Sequence, residues 1–408
     1  MKFLFNDEAF SFETLRTAGF GEYAGAQLGE VVALAGRVAD GDEESWLTEW
    51  SALAQRVHGI ADLALASGHR VSAREAYLRA SNYYRNSEFF RREDPNNDPR
   101  AKELSRLSRE TFATAITLFD APVDRVAIPY EDTTLPGYLF LANDDGAPRP
   151  TVIYNNGFDS TLEESWFAVG AAALRRGYNM LAFDGPGQGE VIREQGLVFR
   201  HDWEGVVGPV IDFALTRPEV EPDEITLFGY SLGGYLVARA AAFDHRVHAV
   251  ILDDGFLSFS AAYEATLPPA LLTALREGRD AEANEAIRHL TAANTQVRWG
   301  INNGLWVLGA DTPADYLRKV ADYSLVGVAD QIQAPTLIMD AENDTFFRGQ
   351  PQLLQAAMSA PSTVVTLTAY DGAGEHCHVG DTGYSHQVMF DWLDDVSASK
   401  RGGALARP

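Results

Sequence analysis

Over the first 120 residues the apolar side chains recur every three or four positions and no stretch alternates from residue to residue, a pattern of helices rather than strands. Asp42-Glu43-Glu44-Ser45 gives an acidic, cap-like start to a helix carrying Trp46, Trp50, Leu53, Val57, Ile60 and Leu63, and Ser67-Gly68-His69 ends it. A second helix over 71–90 holds Ala76, Tyr77, Ala80, Tyr83 and Tyr84 at helical spacing, so the two predict an antiparallel hairpin. No copy of the pair recurs at a fixed period, which argues against a repeat array. The polar stretch 91–100, with Pro95 and Pro99, breaks the pattern before a last helix that runs to about residue 119. A helical cap domain over 1–121 is the expectation.

The period changes after Asp120-Ala121-Pro122. Apolar runs at 123–129 and 135–142 read as a β-hairpin, and further short runs follow at 150–154, 179–183, 224–228, 247–252, 336–339 and 363–367. Helical stretches at 162–176, 203–216, 233–242 and 351–357 separate most of them. Short apolar strands alternating with helices predict an α/β fold, a mostly parallel sheet covered on both faces, over 122–397. One connection is far too long for a single crossover helix: residues 256–328 are mostly helical and hold Trp299, Trp306 and Tyr316, so they read as a helical lid inserted in this α/β domain. The last residues, 398–408, read as a flexible tail.

Composition narrows the function. The 408 residues carry 33 Lys plus Arg against 58 Asp plus Glu, a net charge of −25 that repels nucleic acid and anionic membrane. No window reaches the roughly 18 apolar residues of a membrane span, and the first ten residues interleave Lys2, Asp7 and Glu8 with an apolar run too short for a secretory signal, so a cytoplasmic protein is expected. A single cysteine, Cys377, excludes an intrachain disulfide and any multi-thiolate metal site.

Chemistry concentrates after the strand at 224–228. Gly229-Tyr230-Ser231-Leu232-Gly233 is G-x-S-x-G between an apolar strand and a helix, the context in which flanking glycines hold a serine exposed on a sharp turn. A serine nucleophile needs a base and an acid that orients it, in the chain order Ser, acid, His. The acidic turn Asp340-Ala341-Glu342-Asn343-Asp344 lies between them in sequence; Asp344, just past the strand end, is the preferred acid, with Asp340 and Glu342 as competitors. Gly374-Glu375-His376-Cys377-His378 follows the last strand, and His376 is the preferred general base, with His378 as the alternative. His376-Cys377-His378 lacks the spacing of a metal site, and no metal or other cofactor is expected. The N–H of Leu232, at the helix start, is one expected oxyanion donor. The loop Asn155-Asn156-Gly157-Phe158 supplies the second, Phe158 N–H, with Gly157 letting the backbone approach the substrate; Tyr230 is a further substrate-facing candidate. Asp184-Gly185-Pro186-Gly187-Gln188-Gly189 lacks dinucleotide-binding spacing and reads as a tight structural loop near the site.

Together, Gly157-Phe158, the Asp184-to-Gly189 loop, Gly229-to-Gly233, Asp344 and His376 make residues 122–397 resemble the α/β-hydrolase superfamily. With the helical N-terminal domain, and Glu375-His376-Cys377 leading to His386-Gln387-Val388-Met389-Phe390-Asp391-Trp392, the chain is similar to the branch that includes 2,6-dihydropseudooxynicotine hydrolase and fungal pigment-pathway hydrolases that shorten polyketides. That resemblance implies cleavage of a carbon–carbon bond beside a ketone by a Ser-His-Asp apparatus, with the helical segment and lid enclosing a small-molecule ketone. A carbanion leaving group must be protonated, which makes Tyr263 and Glu264, at the lid entry, candidates for an additional acid and for substrate binding. Trp46, Trp50, Tyr83, Tyr84 and Phe89 read as core first and as pocket walls second. Ester cleavage, acyl transfer or cyclisation by the same three residues is the alternative. A hydrolase-like scaffold that docks a partner is the reading of another class, and an intact triad argues against it. Helical N-terminal domains of this kind suggest a homodimer.

Overall fold

The computed structural model describes residues 2–405, with side chains described through residue 399. They separate into two compact units. The first gathers the N-terminal segment through Val123, Trp166–Ala168 and Leu267–Lys319. Its hairpin consists of the helices Glu43–Ala66 and Arg70–Ser87, followed by Pro99–Ile116. Asp42 caps the first by accepting the N–H groups of Glu44 and Ser45 at 3.0 and 3.1 Å, the satisfaction a helix N-terminus requires. The dry stripe of that helix follows Trp46, Trp50, Ala54, Val57 and Ala61, steps of three or four residues. Ile60 and Leu63 are rotated off that stripe and lie 42% and 73% exposed. Trp46, Trp50 and Tyr83 are fully buried, so this aromatic set is core.

The sequence reading gave all of 256–328 to the catalytic domain, whereas Leu267–Lys319 belongs to the first unit. The reason is an aromatic and ionic seam that sequence separation hides. Trp299, on the helix Thr295–Val307, stacks on Phe89 at 4.6 Å between ring centroids and donates its indole N–H to Phe89 O. Arg298 pairs with Glu43, Thr295 Oγ1 donates to Asp7, and the buried Arg92 bridges Glu88 and Asn303.

The second unit is built on eight strands: β1 (Val123–Tyr130), β2 (Thr133–Phe140), β3 (Arg149–Asn155), β4 (Asn179–Phe183), β5 (Val220–Tyr230), β6 (Ala249–Asp253), β7 (Thr336–Ala341) and β8 (Ser362–Leu367). Their order is β1-β2-β4-β3-β5-β6-β7-β8; β2 runs antiparallel to β4, and from β4 to β8 every neighbour is parallel. Every residue of β4, β6 and β7 is buried, as expected for strands covered on both faces, while the edge strand β8 is partly exposed. From β3 the chain steps outward to β4 and then returns across β3 to β5, so the order reverses between β3 and β5. The carboxyl ends of strands at such a reversal leave a crevice where ligands bind. Pairing of Asn155 with Gly229, and of Tyr230 with Asp253, brings the ends of β3, β5 and β6 level there.

The final helix, Thr382–Leu405, runs through most of the segment read as a flexible tail; residues 406–408 of that segment lie outside the described residues. Among the described residues no helix is long and apolar enough to cross a membrane.

Candidate active site

Ser231 sits between the end of β5 and the helix Leu232–Phe243, with φ 58° and ψ −121°. A side chain at Gly229 would meet Gly233 O at 2.1 Å, so only glycine lets strand and helix turn this tightly. The turn is pinned by Ser231 N–H to Asp253 O at 2.8 Å. Ser231 Oγ is left facing His376 Nε2, 2.8 Å away.

His376 opens a short turn, His376–His378, in which Cys377 and His378 both have positive φ. The rings of Phe346 and Phe347 flank the imidazole at 4.7 and 5.7 Å. Asp344, three residues past β7, meets His376 Nδ1 in hydrogen-bond geometry, Oδ2 at 3.1 Å, while its Oδ1 accepts the N–H groups of Phe346 and Phe347. Asn343 ties the two loops together by donating N–H to Gly374 O and its amide to Glu375. The structure therefore brings Ser231, His376 and Asp344 into one line.

The competitors are placed elsewhere. Asp340 accepts hydrogen bonds from Gln352 and Thr366, and the exposed Glu342 accepts the Ala369 N–H. His378 is fully buried, with Nδ1 2.7 Å from Ala373 O and Nε2 3.3 Å from Asp253 Oδ1. Sequence reading did not single out Asp254. Directly after β6, with φ 62°, it places Oδ2 2.7 Å from His376 Nδ1, closer than Asp344. The only signal on the chain is the acidic pair Asp253-Asp254 at a strand end, which looks like an ordinary solvated turn.

Charge at this cluster is set by burial and by the imidazole. Desolvation opposes a charged His376, yet its pKa stands well above 6.5, raised by the neighbouring Cys377, Asp344 and Asp254. Desolvation holds the Cys377 thiol far above its own ordinary value and so neutral at pH 7, which leaves the two carboxylates as the effective charges. Burial would raise Asp254, but His376 lowers it below the usual carboxylate range, helped by His378 and the Cys377 N–H. Asp253 goes the other way, to about 7, because burial and Asp254 outweigh the attraction of His378. The donor atoms of Asp254, His376 and Cys377, and of Asp253, Asp254 and His378, lie within 4.8 Å of one another. Both ring nitrogens of His376 are engaged, by Ser231 on one side and carboxylates on the other.

Gly157 packs its Cα against the serine turn: a Cβ there would lie 2.6 Å from Tyr230 O, 2.9 Å from Ser231 Cβ and 3.4 Å from Leu232 N. The loop carrying Phe158 and the first N–H of the serine's helix thus stand side by side. The Asp184 loop holds the Gly157 loop from behind. Gln188 donates to Asn156 O and Gly157 O, Asn156 donates to Asp184 Oδ1, and Trp203 donates to Asn155 Oδ1. Asp184 is completely buried and its pKa is driven well above the carboxylate range, first by desolvation and then by Glu163 and Glu190, against the Asn156 and Glu190 hydrogen bonds. Tyr230 is buried beside Tyr154. Tyr263 and Glu264 end the short helix Phe259–Glu264; Tyr263 is half-buried and packs on Phe259, and Glu264 is exposed. Phe158, Phe256, Phe259 and Phe347 form a connected aromatic group reaching His376.

The strand order and the serine turn match a known architecture, and a family model described as "Alpha/beta hydrolase family" matches residues 156–383. The chain belongs to the α/β-hydrolase family. A second model, "Esterase FrsA-like", matches residues 37–257 of this α/β-hydrolase. It is 39% identical to 20-hydroxy-prefusarin hydrolase FUS2 of Gibberella moniliformis, over 98% of this chain and 99% of that one. Hydrolase LUC6 of a Fusarium species is 37% identical with the same coverage. Among solved structures, that of 2,6-dihydroxy-pseudo-oxynicotine hydrolase superposes with a TM-score of 0.74 over 93% of this chain and 95% of that one, at 23% identity, which shows a shared fold. This α/β-hydrolase is accordingly a hydrolytic enzyme.

Proposed function

We propose that this α/β-hydrolase is a serine enzyme that cleaves the carbon–carbon bond beside a ketone in a β-diketone or acyl-aromatic, polyketide-like substrate. The observation that carries the serine reading is the 2.8 Å contact between Ser231 Oγ and His376 Nε2, backed at Nδ1 by carboxylate. Ser231 Oγ attacks the carbonyl as His376 takes its proton, and the oxyanion forms toward the N–H groups of Leu232 and Phe158. Collapse breaks the carbon–carbon bond; its electron pair leaves as an enolate, which the His376 imidazolium protonates to a ketone. Water, deprotonated by His376, then releases the acyl group as a carboxylic acid and restores Ser231. The substrate class is supported by the aromatic group beside His376 and by the relative named for hydrolysis of 20-hydroxy-prefusarin.

Ester cleavage by the same groups is the second reading, favoured by the esterase-type model over residues 37–257. Wild type and Ser231→Ala, incubated with aryl β-diketones and p-nitrophenyl esters and followed by mass spectrometry, separate these readings. Diketone cleavage lost in the alanine variant supports carbon–carbon hydrolysis, cleavage of esters alone reassigns the enzyme as an esterase, and equal turnover in both proteins removes Ser231 from the mechanism.

A further inference from the structure

His376 Nδ1 has one hydrogen to give and two carboxylates beside it. Asp344 takes it in hydrogen-bond geometry and has two backbone N–H groups of its own to stabilise its charge. Asp254 lies closer, at 2.7 Å, completely buried, and its Oδ2 also accepts the Cys377 N–H at 2.5 Å. Its Oδ1 has no hydrogen-bond donor. The ionisable groups that face it are His376 and Cys377 from the histidine loop, His378 beyond them, and Asp253 on its own strand. Asp253 Oδ1 and His378 Nε2 lie 3.3 Å apart and are otherwise without hydrogen-bond partners, so they engage each other. A buried carboxylate needs a compensating charge, and the cation formed in direct contact with Asp254, 2.7 Å from its Oδ2, is the imidazolium that His376 becomes when Ser231 gives up its proton.

We propose that Asp254 is a second positioning residue of the active site: Asp344 fixes the tautomer and orientation of His376, and Asp254 stabilises the imidazolium at its Nδ1 side. This rests on the serine-enzyme reading above. The base then carries two carboxylates from adjacent strand ends, and loss of either leaves the other in place.

Asn is a fitting probe at position 254, because it keeps an acceptor for the Cys377 N–H and adopts positive φ as readily as Asp, so Asp254→Asn removes the charge alone. A fluorophosphonate reports on Ser231 without knowledge of the substrate: its labelling rate between pH 5 and 9 follows the fraction of His376 that is neutral. Wild type, Asp254→Asn, Asp344→Asn, the double variant and Ser231→Ala are compared, each checked for folding by circular dichroism. Removing a negative charge lowers the imidazole pKa, so Asp254→Asn shifts the acid limb down by about 1 unit or more, and the double variant labels at least about ten-fold more slowly than Asp344→Asn. An Asp254→Asn limb that overlays wild type, or a slower rate with an unmoved limb, makes Asp254 a turn residue only and overturns the proposal. Should Asp254→Asn not fold, Asp344→Asn decides alone: labelling within about 100-fold of wild type shows a remaining partner at Nδ1, and a fall to the Ser231→Ala background removes it. A folded wild type that takes no label overturns the serine reading and this assignment with it.

Discussion

Asp254 and Asp344 leave the ends of neighbouring strands, β6 and β7, and their Oδ2 atoms converge on one nitrogen, His376 Nδ1, at 2.7 and 3.1 Å. The consequence is a histidine whose protonated form is favoured despite burial, and several measurements read that environment and its supports.

In the proposed mechanism His376 must be neutral to accept the Ser231 proton, so kcat/KM is expected to fall as pH is lowered, along a limb whose midpoint lies above 6.5. The linkage to stability has the opposite sign. A histidine whose pKa is raised by folding contributes stability in full below 6.5 and loses it as pH rises through the raised value. Activity should therefore increase over the window in which this contribution to Tm declines, checked by a pH–rate profile beside a pH series of thermal melts; a limb at or below 6.5 contradicts the geometry.

Gly157→Ala should cost about 100-fold in kcat/KM, the scale of a displacement near 1 Å at a reacting group. The added Cβ meets Tyr230 O at 2.6 Å and Ser231 Cβ at 2.9 Å, so the loop must retreat from the serine. Overpacking of this kind costs about 1 to 3 kcal/mol in stability. Kinetics and urea unfolding check both; an unchanged rate would place the second oxyanion donor elsewhere.

Asp184 holds its proton to higher pH than an unfolded aspartate, so its contribution to stability is full below 3.8 and is lost as pH rises through the raised value. Asp184→Asn cannot ionise, and Asn156, whose Oδ1 has no donor, can flip its amide to match the new side chain. The difference in Tm between variant and wild type should then shift in favour of the variant as pH rises above 3.8. Parallel Tm curves would show that Asp184 is ionised in the fold.

In the first unit, Trp299→Ala should destabilise by about 3 to 5 kcal/mol through the lost stack on Phe89. Trp299→Phe keeps a ring but leaves Phe89 O without the indole donor, a loss of about 1 to 3 kcal/mol. Denaturant unfolding and limited proteolysis across 267–319 check the order; equal stability of all three proteins would remove the seam as a determinant of this unit.

The eight strands could be read from the chain because each is a short apolar run between turn residues, and the helical hairpin because Trp46, Trp50 and Val57 share one face. The serine turn was legible for a similar local reason: Gly229 is required by the backbone of Gly233 and Gly234 a few residues on, although Gly233 itself is required by the carbonyls of Asn155 and Asn156, which only the fold brings there. Chain order and strand ends were enough to nominate Asp344 and His376. Choosing among neighbours was another matter. Asp340 and Asp344 look alike along the sequence, as do His376 and His378, and what separates them is which way each loop aims its side chain: Asp340 toward Thr366 and Gln352, His378 toward Asp253. Asp254 was invisible because a carboxylate after a strand costs nothing in water, and its burial against His376 exists only once β6 and β7 lie side by side. Trp299 and Phe89, 210 residues apart, meet for a like reason. Local sequence determined the elements and the reactive turn, since those depend on periodicity and backbone sterics; the tertiary structure decided which charges share a proton and which helices share a core, since desolvation and Coulomb attraction act across space rather than along the chain.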